Sequence, residues 1–163
     1  MSALAVPEIY VRLSGEGDRL AFGGRLMATG IGLACLVLLI VAAVLVPSPS
    51  GVGTHTALGL QQCQFLVRTG LPCPGCGMTT SFSWFARGNI EASLYVQPMG
   101  TILALLAAAT FWGASYVAAT GRPVYRLAQR IPARYYLWYL PAMAVVAWAW
   151  KIWIRVHHMD GWH

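Results

Sequence analysis

The stretch "LMATGIGLACLVLLIVAAVLV", Leu26 to Val46, decides the fold class. It holds 21 residues and no charge. As a helix rising about 1.5 Å per residue it covers roughly 30 Å, the thickness of a bilayer's hydrocarbon core. A water-soluble domain of this size has too little interior to cover such a helix on every side. "PSPSGVG", Pro47 to Gly53, stops it, because a proline disfavours the helical conformation in the residue before it.

The whole chain carries the same signal. Its 163 residues leave room for one domain, and they are 58% hydrophobic and 10% charged, against about 25% charged in a soluble domain. The mean hydropathy is +0.60. Two further spans read as "GTILALLAAATFWGASYVAA", Gly100 to Ala119, and "YYLWYLPAMAVVAWAWKIWI", Tyr135 to Ile154. Pro141 leaves the Leu137 carbonyl without its helical partner and predicts a kink. Tyr135, Tyr136, Trp138 and Tyr139 crowd one end of this span; Trp148, Trp150 and Trp153 crowd the other, as aromatic belts do at the two membrane interfaces. These features predict an all-α integral membrane protein with three transmembrane helices, about 26–46, 100–119 and 135–154. Residues 1–25 form an N-terminal cytoplasmic or interfacial segment. Residues 26–163 form a single membrane domain, whose cysteine-containing external loop, 47–98, carries short interfacial or re-entrant helices.

The formal charge of +6 bears on topology. No basic groove interleaved with aromatic residues exists to bind nucleic acid. Arg122, Arg126, Arg130 and Arg134 lie between spans two and three, and Arg12, Arg19 and Arg25 precede span one. The positive-inside rule puts both groups in the cytoplasm, so the 47–98 loop and the C-terminus face outward. Lys151 and Arg155 then sit at the outer end of span three, where long cationic side chains snorkel to the interface.

The external loop holds Cys63, Cys73 and Cys76; Cys35 lies inside span one and reads as a small apolar residue. "CPGCG", Cys73 to Gly77, is a turn whose backbone N–H groups can stabilise two thiolates, its last glycine permitting a positive φ. Three uses of the turn stay open. A structural disulfide can join Cys63 to one of the pair, with one thiol left over. A metal, zinc or iron, can be held by Cys63, Cys73 and Cys76 with a fourth ligand from His55, or from His157, His158 or His163. A redox dithiol can use Cys73 and Cys76, with Cys76 acidified at the start of the next helix. That helix is expected in "MTTSFSWFARG", from about Gly77 to Gly88, with Thr79 or Thr80 as a cap and Phe82 and Phe85 on one packed face. Arg87 and Glu91, four apart, read as a local ion pair. No haem-attachment motif, phosphate loop or catalytic carboxylate pair occurs, so no catalytic residue is assigned beyond that redox alternative.

The segment "CQFLVRTGLPCPGCGMTTSFSWFARGNIEASLYVQPMG" resembles the bacterial membrane protein family known as domain of unknown function 2752 (DUF2752). Cys63, Thr69, Gly70, Cys73, Pro74, Gly75, Cys76, Gly77, Thr79, Arg87, Gly88, Ala92, Pro98 and Gly100 fall on its pattern. Two positions depart: Thr80 stands where an arginine is frequent, and Gln97 where asparagine precedes the proline. The resemblance implies a small multi-spanning protein of the bacterial inner membrane with a loop built around three cysteines, and it supplies no reaction. The expected role is a non-enzymatic subunit or assembly factor whose loop is held by a disulfide or a metal. The alternative is a thiol-disulfide oxidoreductase or metal-handling protein. The expected partners are the lipid bilayer and other membrane subunits. The orientation predicts that a reporter active only in the cytoplasm, fused after His163, is silent; strong activity there would overturn it.

Overall fold

The computed structural model describes residues 19–122 and 133–162, with side chains from residue 137 onward in the second stretch. The N-terminal segment to residue 18, the connection carrying Arg126 and Arg130, and His163 lie outside the described residues. Among those described there are helices and no strands: α1 (Phe22–Val44), a 3₁₀ turn (Thr54–Leu58), α2 (Gln64–Thr69), α3 (Met78–Ala86), α4 (Ile90–Val96), α5 (Pro98–Thr120) and α6 (Ala133–Val156). Three of them, α1, α5 and α6, are long and apolar enough to cross a membrane.

The ends of the spans follow local chemistry. α1 ends at Leu45, which is extended, two residues before Pro47. α5 opens with Pro98 in its first turn and closes on left-handed Gly121, φ 72°, the usual asymmetry of helix ends. α6 runs continuously through Pro141. α1 and α5 lie side by side. A Cβ on Gly32 would stand 3.3 Å from the Ala114 Cβ, so this crossing depends on small residues, as membrane helix pairs often do. At one end the Arg25 guanidinium donates to the Ala118 carbonyl at 2.9 and 2.8 Å and to that of Ala119 at 3.2 Å, supplying partners to carbonyls that the helix end leaves free.

The cysteine loop folds over the other end. α3 begins and ends as the sequence predicts, after Gly77 and before Gly88, φ 81°. The expected threonine cap is absent: no side chain caps α3. Thr80 is buried instead, its hydroxyl 2.8 Å from that of Thr54. Ser81 anchors the helix. Its hydroxyl lies 2.9 Å from the Ser93 hydroxyl on α4 and 3.2 Å from that of Thr101 on α5. The Ser93 and Thr101 hydroxyls are 2.8 Å apart, and Ser93 donates to the Ser81 carbonyl. Arg87 does not pair with Glu91; it reaches back to donate to the Leu45 carbonyl at 3.0 Å, the end of α1.

The C-terminal tail shares this end with the loop. Tyr95 donates to the Met159 carbonyl at 2.7 Å. Lys151 corrects the snorkelling expectation: it is fully buried, because the tail folds back and offers it Asp160 at 2.8 Å, while the Gly51 carbonyl lies at 3.3 Å. Arg155 binds the other oxygen of Asp160 at 2.9 Å. The loop and the C-terminal tail therefore lie on one side of the span bundle, as the topology requires.

Gly100 sets how closely α3 approaches α5. A Cβ there would meet the Ser81 Cβ and Oγ at 2.8 Å. Gly100→Val is expected to destabilise the protein by about 1–3 kcal/mol, measured by thermal unfolding in detergent. Gly113→Ala, with nothing within 4 Å of the added methyl, serves as the control that leaves stability close to wild type.

Candidate metal centre

Cys73 and Cys76 form a tight turn, with the Cys76 N–H donating to the Cys73 carbonyl at 3.0 Å and the Met78 N–H to that of Gly75 at 3.2 Å. Gly77 then turns the chain into α3 at φ 86°. A Cβ there would stand 2.7 Å from the Gly51 carbonyl oxygen, so both conformation and space require glycine.

Two side chains from elsewhere hold the carbonyls on either side of Cys73. The Trp148 indole on α6 donates to the Pro72 carbonyl at 2.9 Å. The Gln97 amide, fully buried between α4 and α5, donates to that of Pro74 at 2.8 Å. The Gln97 side-chain oxygen, Oε1, is itself buried without a partner, and an unsatisfied buried acceptor costs about 1–3 kcal/mol. Sequence reasoning missed both residues. Trp148 reads as a member of an aromatic belt, and Gln97 as a departure from a family pattern.

Cys63 arrives from outside the turn. It stands at the N-cap of α2, and its sulfur joins the pair: the Sγ atoms of Cys63, Cys73 and Cys76 all lie within 4.8 Å of one another. The Cys73 and Cys76 sulfurs are 3.2 Å apart. All three are free thiols, as is Cys35 within α1. Among the described residues, His55 is not part of this group; its Nε2 lies 3.1 Å from the Gln61 carbonyl.

The thiols differ in acidity, and the order reverses the one expected. Burial, first, and the Cys73 and Cys63 thiols push Cys76 up to about 12, because a thiolate away from water is costly. Cys63 is lowered to about 7, chiefly by the Leu66 backbone N–H near its sulfur, with the other two thiols assisting against a smaller effect of burial. The acidified cysteine at a helix start is therefore Cys63 on α2.

Residues 63–111, from Cys63 through α3 and α4 into α5, match the family model described as protein of unknown function, DUF2752. This part of the chain is similar to DUF2752. The family assigns no reaction, so the DUF2752 match places the three sulfurs within a shared sequence pattern and leaves their chemistry to geometry. No curated protein and no solved structure matches the chain.

Thiol acidity is open to direct measurement. Alkylation of the reduced protein by iodoacetamide, quantified per cysteine by peptide mass spectrometry, should rise at Cys63 with a midpoint near pH 7, while Cys76 stays protonated and unlabelled through pH 9. A Cys63 midpoint near 9, the ordinary value, would contradict the assignment.

Proposed function

We propose that this protein is a small non-enzymatic membrane component, a subunit or assembly factor, whose external loop is closed by a metal ion bound to Cys63, Cys73 and Cys76. One observation carries the reading: three sulfurs from two separate segments converge within 4.8 Å. A disulfide uses two sulfurs and gives the third no task, whereas a metal engages all three. The turn also suits a thiolate ligand pair, being short, glycine-containing and held at both flanking carbonyls. Four-coordinate zinc or iron would need one more donor, and His55, eight residues before Cys63, is the nearest histidine in the chain. The arginines at 12, 19 and 25 and between spans two and three support an orientation with the site on the outer face of the cytoplasmic membrane.

Thiol-disulfide exchange is the second reading. It is favoured by the 3.2 Å approach of Cys73 to Cys76 together with the acidity of Cys63, since the thiolate is the attacking species.

Elemental analysis and thiol counting on protein purified without reductant separate the two. The metal reading expects about one equivalent of metal and one thiol outside the site, Cys35, which lies within span one and is titrated only after denaturation. Replacing Cys73 or Cys76 by serine should release the metal, replacing Cys63 should weaken its binding, and Cys35→Ser should leave it unchanged. Metal-free protein with a Cys73–Cys76 disulfide, reduced readily by dithiothreitol, would overturn the metal reading in favour of exchange.

A further inference from the structure

The sulfur site is asymmetric in how its parts are held. The turn is fixed: Trp148 and Gln97 grip its carbonyls, and Cys76 and Gly77 are buried. The segment carrying Cys63 is held by almost nothing in this chain. α2 contains no buried residue, and Phe65 and Val67 are 44% and 61% exposed. Left-handed glycines bracket the segment, Gly59 at φ 76° and Gly70 at φ 73°, with open space around both. Glycines in open space at both ends leave the segment room to turn, and its tie to the turn is the sulfur cluster.

The donor set is equally specific. Among the described residues the cluster holds three sulfurs and no imidazole or carboxylate. Structural zinc almost always takes four ligands in a tetrahedron. An all-thiolate set selects soft ions, copper(I) among them, and copper(I), a d¹⁰ ion with no strong geometric demand, is satisfied by two or three sulfurs. Because it can lose one ligand and remain bound, it suits a site with one detachable sulfur.

We infer that Cys63, Cys73 and Cys76 form a three-coordinate, all-sulfur exchange site for copper(I), in which the turn retains the ion and the Cys63 arm closes over it and opens to pass it on. This rests on the metal reading above and deepens it: the ion is cargo, and the arm is the gate. Transfer is ligand exchange without redox change. An incoming thiolate replaces Cys63 on the ion, and copper stays monovalent throughout.

The test uses the full chain, reduced and in detergent under anaerobic conditions, titrated with copper(I) buffered by bathocuproine disulfonate and, separately, with zinc. The expected results are one copper(I) per chain, held more tightly than zinc, with an X-ray absorption signature of three sulfurs and no nitrogen. His55→Ala should leave the affinity unchanged. Cys63→Ser should weaken copper binding by more than about tenfold, leave a two-sulfur signature, and speed release to glutathione, while the helical circular dichroism stays intact. Tighter zinc binding with a nitrogen ligand, lost in His55→Ala, would overturn the copper assignment and leave the metal reading standing. Equal copper release from wild type and Cys63→Ser would overturn the gate. Binding of neither ion would overturn both.

Discussion

The hydroxyl triangle of Ser81, Ser93 and Thr101 is the interaction on which the architecture rests. A long loop at a membrane surface has backbone groups that lipid cannot satisfy, so it must pair them within the protein. Short helices do most of this, but α3 and α4, nine and seven residues long, are marginal alone. Here they are fused by hydroxyls that donate and accept among α3, α4 and α5 at 2.8–3.2 Å. Gly100 lets α3 come close enough for the triangle to close. The position of Gly77, and with it that of the cysteine turn, follows from where this junction sets the start of α3.

From that platform the third span is fastened by an unusual device. Trp148, Trp150 and Lys151, within one turn of α6, each donate to a main-chain carbonyl of a different loop segment: Pro72, Tyr95 and Gly51. Hydrocarbon offers little force to bring helices together. Directional bonds at the membrane boundary supply it, and they reach the cysteine turn directly through Pro72.

The sequence made the spans legible because an uncharged run of bilayer length admits few other readings. It also marked α3, whose flanking glycines announce both ends, and the reach of Cys63 to the CPGCG turn. What stayed hidden depends on chain segments distant in sequence. Lys151 looked like an interfacial cation because its counter-ion lies in a short tail without periodicity. Trp148 looked like a belt residue because an indole N–H gives no hint of which carbonyl it will meet. The acidity of the cysteines was assigned to the wrong helix: Cys76 does precede α3, but burial outweighs any help from that helix end. The two departures from the family pattern, Thr80 and Gln97, both turned out to be buried hydrogen-bonding residues, the first tying α3 to Thr54 and the second tying α5 to Pro74.

The buried ammonium of Lys151 couples the last span to the tail. Its carboxylate partner lies nine residues further on, in the tail beyond α6, so the helix by itself carries a cation without its counter-ion. An uncompensated charge at that depth resists burial by several kcal/mol. The loop carbonyls of Gly51, Pro72 and Tyr95 accept from the same helix turn. Seating of α6 against the loop and return of the tail are therefore linked in free energy, each stabilising the other. Through Trp148, which holds the Pro72 carbonyl beside Cys73, that linkage extends to the cysteine turn.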